Sequence, residues 1–228
     1  MDRLIDTELR GLKNELVKMA RSVESSIDQV TVALENKDLA KMASIYEIEK
    51  QINQSHIAVD AECVRVLALQ QPLAADLRFI VAVIKINTDL ERMGDQAVNI
   101  AHNAEKYLQG KPLKPLIDLP QMFVEVRFMV REALDAFVNS SLSLARDVLE
   151  RDDKVDAFKN KIFRDVLDLL KKDAEGIEQG LSLILIARNL ERIGDHATNI
   201  AEDVIFAMTG EDVRHSASIE TIKASLSR

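Results

Sequence analysis

The chain carries one polar phrase twice, and its repeated side chains are of the kind that binds cations. Residues 90–101 read Leu-Glu-Arg-Met-Gly-Asp-Gln-Ala-Val-Asn-Ile-Ala, and residues 190–201 match them at nine of twelve positions. In each copy a Glu and an Asp stand four residues apart, so both project from one helix face about one turn apart. These carboxylates are Glu91, Asp95, Glu191 and Asp195. Carboxylate oxygens are hard ligands that suit divalent and trivalent metal ions.

A second set of polar residues precedes the first copy in the chain. In a helical hairpin it would lie at the same level along the helix axes as the first copy. Pro72 lacks an amide proton and constrains the residue before it, so it favours a turn between two helices. An antiparallel hairpin that turns there brings Glu49 level with Asp95, and Asn53 level with Glu91.

The second half repeats this arrangement across a turn of different sequence. With a midpoint at residues 173–174, Asp152 falls level with Asp195, and Asp156 falls level with Glu191. Periodicity does not determine whether the polar flanks of the two helices in a hairpin face each other or both point to solvent, because this depends on the hand of the bundle.

A cation should accompany these carboxylates, because two like charges about 4 Å apart repel by roughly 4 kcal/mol at an effective dielectric of about 20. One candidate is a metal ion or a small multinuclear cluster, with His56 as an extra ligand on the same flank. The alternative is a set of ordinary surface salt bridges made by the neighbouring Arg92, Arg192, Lys50 and Lys154.

Gly94 and Gly194 stand in the middle of the repeated phrases, where each Gly costs about 1 kcal/mol relative to Ala. Close approach of a neighbouring helix explains them better than ligand access does. The sequence contains no Glu-x-x-His pair, no glycine-rich phosphate loop, no Cys-x-x-Cys and no evident nucleophilic triad. We therefore predict that the protein is not an enzyme and acts by binding other proteins. A helical metalloenzyme that contains a metal cluster and a purely structural helical scaffold are the alternatives to this adaptor role.

Six long helices must position these residues. With 47% hydrophobic and 4% aromatic residues, seven Gly and four Pro among 228, the composition is typical of an all-α protein. Apolar residues three and four apart predict helices at about 6–35, 39–69, from the Pro72 turn to 107, 122–138, 142–170 and 177–208.

The helices group into two tandem, pseudo-symmetric three-helix bundles, an all-α fold of antiparallel helices. The first bundle covers residues 1–109, a Pro-rich linker covers 110–120, the second bundle covers 121–209 and a tail covers 210–228, with a short helix near 218–226.

Two packing seams follow from the spacing. The third helix has the strongest seam, formed by Phe79, Val83, Ile86, Leu90, Met93, Ala97, Ile100, Ala104 and Tyr107. In the second helix Ile48 is assigned to the seam, which places Glu49 and Asn53 on one flank.

Charge and cysteine content exclude several classes of protein. A net charge of -8 and a pI of about 5.1 argue against nucleic-acid binding, which depends on clustered Lys and Arg. The single cysteine, Cys63, is expected to be a buried structural thiol in a reducing compartment. No signal peptide or transmembrane segment is predicted, so a cytoplasmic location is expected.

The sequence resembles the PhoU family over nearly the whole chain. The likeness is carried, in the family's order and spacing, by residues 60–65 (Asp-Ala-Glu-Cys-Val-Arg), 71–78 (Gln-Pro-Leu-Ala-Ala-Asp-Leu-Arg), 90–95, 153–156 (Asp-Lys-Val-Asp) and 190–195. A match at five segments together with the tandem repeat is highly specific.

This resemblance implies two three-helix bundles and multinuclear clusters of iron, zinc or related ions. The implied ligands are Glu49, Glu91 and Asp95 in the first half, and Asp152, Asp156, Glu191 and Asp195 in the second. Asn53 departs from the family pattern, because it stands where a second acid belongs. The first site therefore has one charge fewer, and its occupancy is expected to be the lower of the two.

The resemblance also implies a regulatory function. Members of the family act in the cytoplasm as negative regulators of phosphate uptake and of the phosphate-starvation response. The implied partners are the ATPase of the phosphate ABC transporter and a sensor histidine kinase. A homodimer is expected as well.

Overall fold

The structure, a computed structural model, describes residues 3–111, 113, 118–172 and 174–214, and these residues form six α-helices and no strand. Three helices precede residue 112 and three follow residue 117. They are α1 (Leu4–Asn36), α2 (Ala40–Gln70), α3 (Ala75–Gln109), α4 (Asp118–Asn139), α5 (Leu142–Leu170) and α6 (Ile177–Thr209). The all-α prediction is confirmed. The short helix predicted near residues 218–226 lies outside the described residues.

Five helices begin and end within about two residues of the predicted bounds, and α4 is the exception. It begins at Asp118, four residues before the predicted start at Met122, so the predicted linker is too long at its C-terminal end. Pro120 lies in the first turn of α4, where its missing amide proton costs nothing because that position has no intrahelical acceptor. The proline was interpreted as part of the linker, although it is compatible with a helix start.

The α3 seam is the one that the spacing predicts. Eight of its nine residues are buried, and the ninth, Phe79, is partly buried and stacks on Phe137 of α4 with ring centroids 5.4 Å apart. This aromatic pair joins the two bundles.

The α2 seam differs from the prediction. Ile48 is only partly buried, and the core side chains are Met42, Ile45, Ile52, Val59, Cys63 and Val66. Glu49 and His56 complete the three-and-four spacing of this row. Glu49 therefore lies in line with the core residues of α2, at the edge of the contact with α3. The assignment of Ile48 was wrong because α2 carries apolar residues outside its core row as well, including Ile57 and Val64.

The two bundles pack through α3 against α6 and α1 against α4. The α3 and α6 axes are antiparallel, because Lys85 contacts Asp203 at 2.8 Å while the later Asp89 contacts the earlier His196 at 2.8 Å. The hairpin partners α2 and α5 therefore lie at the two outer edges. None of the described helices has an apolar stretch long enough to cross a lipid bilayer.

Candidate functional site

Contacts in the first hairpin set the height of its polar residues. A Cβ on Gly94 of α3 would lie 3.1 Å from Ile52 of α2. About two turns before Gly94 on α3, Asn87 donates hydrogen bonds to the carbonyl of His56 and to Asp60, both at 2.9 Å. These contacts give the register expected from a turn at Pro72. Glu49 and Asp95 are thus at one level, as are Asn53 and Glu91, and these four residues are called the N-terminal cluster.

The N-terminal cluster is arranged around a neutral amide. Asn53 donates a hydrogen bond to Glu49, and its own carbonyl oxygen is buried with no hydrogen-bond partner among the described residues. Across the groove, Arg92 lies 3.5 Å from Glu91 and 3.7 Å from Asp95, and its side chain is 58% exposed. An exposed contact of this length contributes little. The orphaned Asn53 oxygen is an acceptor that a cation could satisfy.

The second hairpin brings its carboxylates together across the α5–α6 groove. Lys159 of α5 donates to Asp156 at 2.6 Å and to Glu191 of α6 at 2.7 Å. A Cβ on Gly194 would lie 3.5 Å from Val155, in the same register. In this half the two flanks therefore face each other. Asp152, Asp156, Glu191 and Asp195 are called the C-terminal cluster.

Crowding of like charges perturbs the C-terminal cluster. Burial, followed by the charges of Asp195 and Asp156, raises the pKa of Asp152 to about 6. Burial and the neighbouring Glu191 also raise the pKa of Asp195. The hydrogen bonds to Asp156 and Glu191 raise the pKa of the Lys159 ammonium. The four carboxylates thus act on one another electrostatically, as their common level predicts.

Three residues of the salt-bridge alternative form surface ion pairs, but only one of them pairs with predicted ligands. Arg92 contacts the N-terminal cluster, whereas Lys50 pairs with Glu47 and Lys154 with Glu125, away from the predicted ligands. His56 faces α3, with Nδ1 3.3 Å from the Asn87 carbonyl and Nε2 3.6 Å from Asp60.

The two clusters differ in how well their donor atoms suit a metal ion. In the part of the chain that the structure describes, no three His, Cys, Asp or Glu side chains converge in a metal-holding arrangement. Carboxylates with the Asn53 amide oxygen suit a hard cation, so the N-terminal residues fit such an ion by chemistry. In the C-terminal cluster an ammonium already lies between Asp156 and Glu191, and these two ligands do not fit an ion while that contact holds.

The two mid-helix glycines differ in their surroundings. At Gly94 a Cβ would approach Ile52 to 3.1 and 3.3 Å, tighter than ordinary contact, which agrees with close helix approach. At Gly194 the nearest atoms, of Val155 and Met129, lie 3.5 and 3.8 Å away, at van der Waals distance. Close approach therefore explains only the first glycine.

Sequence reasoning missed Lys159 and the polar contact between α3 and α6. Lys159 stands three residues after Asp156, a spacing that permits an ion pair on one helix and is the signal that was available. Asp89 accepts from Asn199 at 3.1 Å and contacts His196. No local pattern indicates this second contact, because it joins separate bundles.

Comparisons with known proteins agree with this architecture. The family model described as "PhoU domain" matches residues 16–104 and 119–204. The phosphate-specific transport system accessory protein PhoU homolog of Pseudomonas putida is 38% identical over 92% of this chain and 82% of its own length. The PhoU homolog of Clostridium acetobutylicum is 34% identical over 92% of this chain and 97% of its own.

Two crystal structures share the fold. PhoU from Pseudomonas aeruginosa superposes with a TM-score of 0.87 at 37% identity, over 90% of this chain and 99% of that one. The phosphate transport system regulatory protein PhoU from Streptococcus pneumoniae superposes with a TM-score of 0.85 at 31% identity, over 92% of this chain and 99% of its own.

Proposed function

This chain belongs to the PhoU family, and from that premise we propose that it is an accessory protein of the phosphate-specific transport system. In this role it restrains phosphate uptake and the phosphate-starvation response by binding other proteins. Its partners are the ATPase of the phosphate ABC transporter and the cytoplasmic region of a sensor histidine kinase. The proposal places it in the cytoplasm as a homodimer and assigns it no catalytic step.

One observation carries the proposal. In each hairpin, exposed apolar side chains lie between the polar cluster and the turn. On α2, Val64 follows Asn53 by eleven residues and is 64% exposed, and on α3 Leu77 precedes Glu91 by fourteen and is 42% exposed. Spacings of eleven and fourteen return to nearly the same helix face. The apolar residues thus lie on the same face as the cluster.

The second hairpin repeats this pattern at identical spacings. Leu167 follows Asp156 by eleven residues and Ile177 precedes Glu191 by fourteen, and both are exposed. Core packing does not require exposed apolar residues, and their repetition in both halves, on the helix faces that carry the acidic clusters, indicates interaction surfaces. We call Val64 with Leu77 the first apolar surface, and Leu167 with Ile177 the second.

Both surfaces open to one side of the molecule. Because α1 packs on α4 and α3 packs on α6, the exposed flanks of α3 and α6 share the opposite face, with α2 and α5 at its edges. A partner that suits this face presents apolar anchors and, about 16 to 21 Å further from the turn, basic side chains, since eleven and fourteen helical residues separate the apolar residues from the clusters. A chain with a net charge of -8 favours such a partner.

We also propose that the family's metal, iron or zinc in a multinuclear cluster, binds at the N-terminal cluster. Glu49, Asn53, Glu91 and Asp95 would hold it, and the ion would neutralise their charge and satisfy the buried Asn53 oxygen. Elemental analysis of the purified protein, with Asp95→Asn as the comparison, tests this assignment. Metal content that is unchanged by the substitution would contradict it.

Binding measurements on single variants test the adaptor role. The immobilised chain is titrated with the transporter ATPase and, separately, with the kinase cytoplasmic region. Val64→Asp and Leu77→Asp place a charge where an apolar partner would dock, so each should weaken binding of at least one partner about tenfold or more.

A matched control separates surface effects from unfolding. Val124 on α4 is 57% exposed on another part of the protein, so Val124→Asp should leave both affinities unchanged. Circular dichroism checks that all variants remain helical. No binding of either partner by the unmodified chain, together with normal phosphate repression in a deletion strain, would overturn the proposal.

A further inference from the structure

We propose that Lys159 is the resident cation of the C-terminal cluster and holds the place that a metal ion would take between Asp156 and Glu191. The proposal concerns this chain's own residues and does not depend on which partner proteins the family role requires.

The geometry is that of an ammonium ion shared by two carboxylates. The Lys159 nitrogen lies 2.6 Å from an Asp156 oxygen and 2.7 Å from a Glu191 oxygen, which joins α5 to α6. The Lys159 side chain is 28% exposed and that of Glu191 is 21% exposed, so solvent only partly screens the contact. Short hydrogen bonds between charged groups are stronger than neutral ones. One positive charge thus satisfies both helices of the hairpin.

The first hairpin has no ammonium at the corresponding position. The offset that aligns Asn53 with Asp156 aligns His56 with Lys159. His56 instead approaches the Asn87 carbonyl and Asp60, as described above. The N-terminal hairpin relieves its repulsion by replacing one acid with the neutral Asn53, which donates to Glu49. The two halves therefore reduce the repulsion between their carboxylates in different ways. The N-terminal half has one negative charge fewer, and the C-terminal half has an additional positive charge.

This difference reverses the order of occupancy expected from charge alone. Four carboxylates in the second half suggested the better metal site, but an ion that enters it must displace Lys159 from two of its ligands. Removing the ammonium should therefore strengthen binding of a hard ion at this cluster. The expected gain is about tenfold or more in affinity, because two charge-assisted hydrogen bonds no longer compete.

Titration with Mn²⁺ tests this inference on the full chain after chelator treatment. Electron paramagnetic resonance measures free Mn²⁺, an ion that prefers oxygen ligands. Lys159→Met should bind Mn²⁺ at least about tenfold more tightly than the unmodified protein. Adding Glu191→Gln to Lys159→Met should abolish the gain, which assigns it to this cluster.

Melting temperature supplies a second readout. Without Mn²⁺, Lys159→Met should melt several degrees below the unmodified protein, because its carboxylates lose their counter-ion. Excess Mn²⁺ should restore most of that loss. Lys159→Gln, which keeps a hydrogen-bond donor, serves if the methionine variant folds poorly, and it should shift Mn²⁺ affinity in the same direction.

Lys171→Met is the matched control. It removes the same charge near the end of the same hairpin, where the Lys171 side chain is 73% exposed and pairs with Asp168. Its Mn²⁺ affinity should equal that of the unmodified protein. An equal gain in this control would assign the effect to net charge and overturn the proposal. An affinity that Lys159→Met leaves unchanged, whether measurable or undetectable in both proteins, would overturn it as well.

Discussion

Alanine at the two mid-helix glycines should have different effects on stability. At Gly194 the added methyl group would lie 3.5 Å from Val155 and 3.8 Å from Met129, which is ordinary contact. Alanine there gains about 1 kcal/mol of helix propensity, and the methyl group adds up to about 0.8 kcal/mol if it is fully buried. Gly194→Ala should therefore raise the free energy of unfolding by about 1 to 2 kcal/mol.

At Gly94 the same methyl group meets a rigid neighbour. It would lie 3.1 Å from Cδ1 and 3.3 Å from Cγ2 of Ile52, which is fully buried. A β-branched side chain in a helix has few other rotamers, so it cannot move aside easily. Overpacking of this kind costs about 1 to 3 kcal/mol and offsets the gain in propensity. Gly94→Ala should leave stability unchanged or lower it by up to about 2 kcal/mol.

Urea unfolding followed by circular dichroism measures both effects, and thermal melting should show Gly194→Ala about 2 to 8 °C above the unmodified protein. Ile52→Val provides the internal check, because it deletes the Cδ1 atom that crowds position 94. The double variant Gly94→Ala/Ile52→Val should be more stable than the sum of the single effects by about 1 kcal/mol. If Gly194→Ala destabilised the protein as much as Gly94→Ala, the steric reasoning would be wrong.

Three further predictions follow from buried groups. Burial raises the pKa of Glu202 to about 7, so the folded state keeps a proton that the unfolded state releases. This group therefore lowers stability as pH rises from about 4.5 to about 7. Glu202→Gln should reduce the fall in stability over this range and stabilise the protein by about 2 kcal/mol at pH 8 after allowance for solvent screening; an unchanged slope in urea titrations would contradict it. Cys63 is fully buried, and burial raises the pKa of its thiol to about 12, so a thiol reagent such as DTNB should label it only after unfolding; rapid labelling of native protein would refute this. Phe137→Ala should lower the free energy of unfolding by about 3 to 5 kcal/mol, because it removes a buried ring that stacks on Phe79. Phe163→Ala is the control and should lower it much less, because the Phe163 ring is 46% exposed. Equal melting temperatures for the two variants would argue against a stabilising stack between the bundles.

The contact between α3 and α6 makes the two halves unequal. Near Lys85 it holds two pairs of polar residues, Lys85 with Asp203 and Asp89 with His196. The positions related by the repeat carry Leu185, Asn189, Gln96 and Asn103. The duplicated phrases therefore form similar hairpins, while the surface between the bundles has its ionic contacts at one end.

Local spacing was sufficient for much of this structure. The α3 seam was predictable because the opposite face of this helix is mainly polar, so a single apolar stripe indicates which side faces the core. The height of Glu49 relative to Asp95 was predictable because an antiparallel hairpin fixes levels once Pro72 fixes the turn. The duplication indicated two similar bundles because each repeat contains a complete set of three amphipathic helices.

Other features required the folded chain. The α2 seam was misread at Ile48 because apolar residues lie on both sides of that helix, and only packing against α1 and α3 decides which side is inside. The start of α4 was misplaced because proline is allowed both in a linker and in a first helical turn.

The sequence alone determined six amphipathic helices, their pairing into two hairpins and the levels of the carboxylates, because these follow from periodicity and from where the chain turns. Only the tertiary structure decided that α3 packs on α6 and that Lys159 reaches Glu191 across a groove. Such contacts depend on how the helices are rotated against each other. That rotation results from the packing of all the side chains together, and no local spacing encodes it.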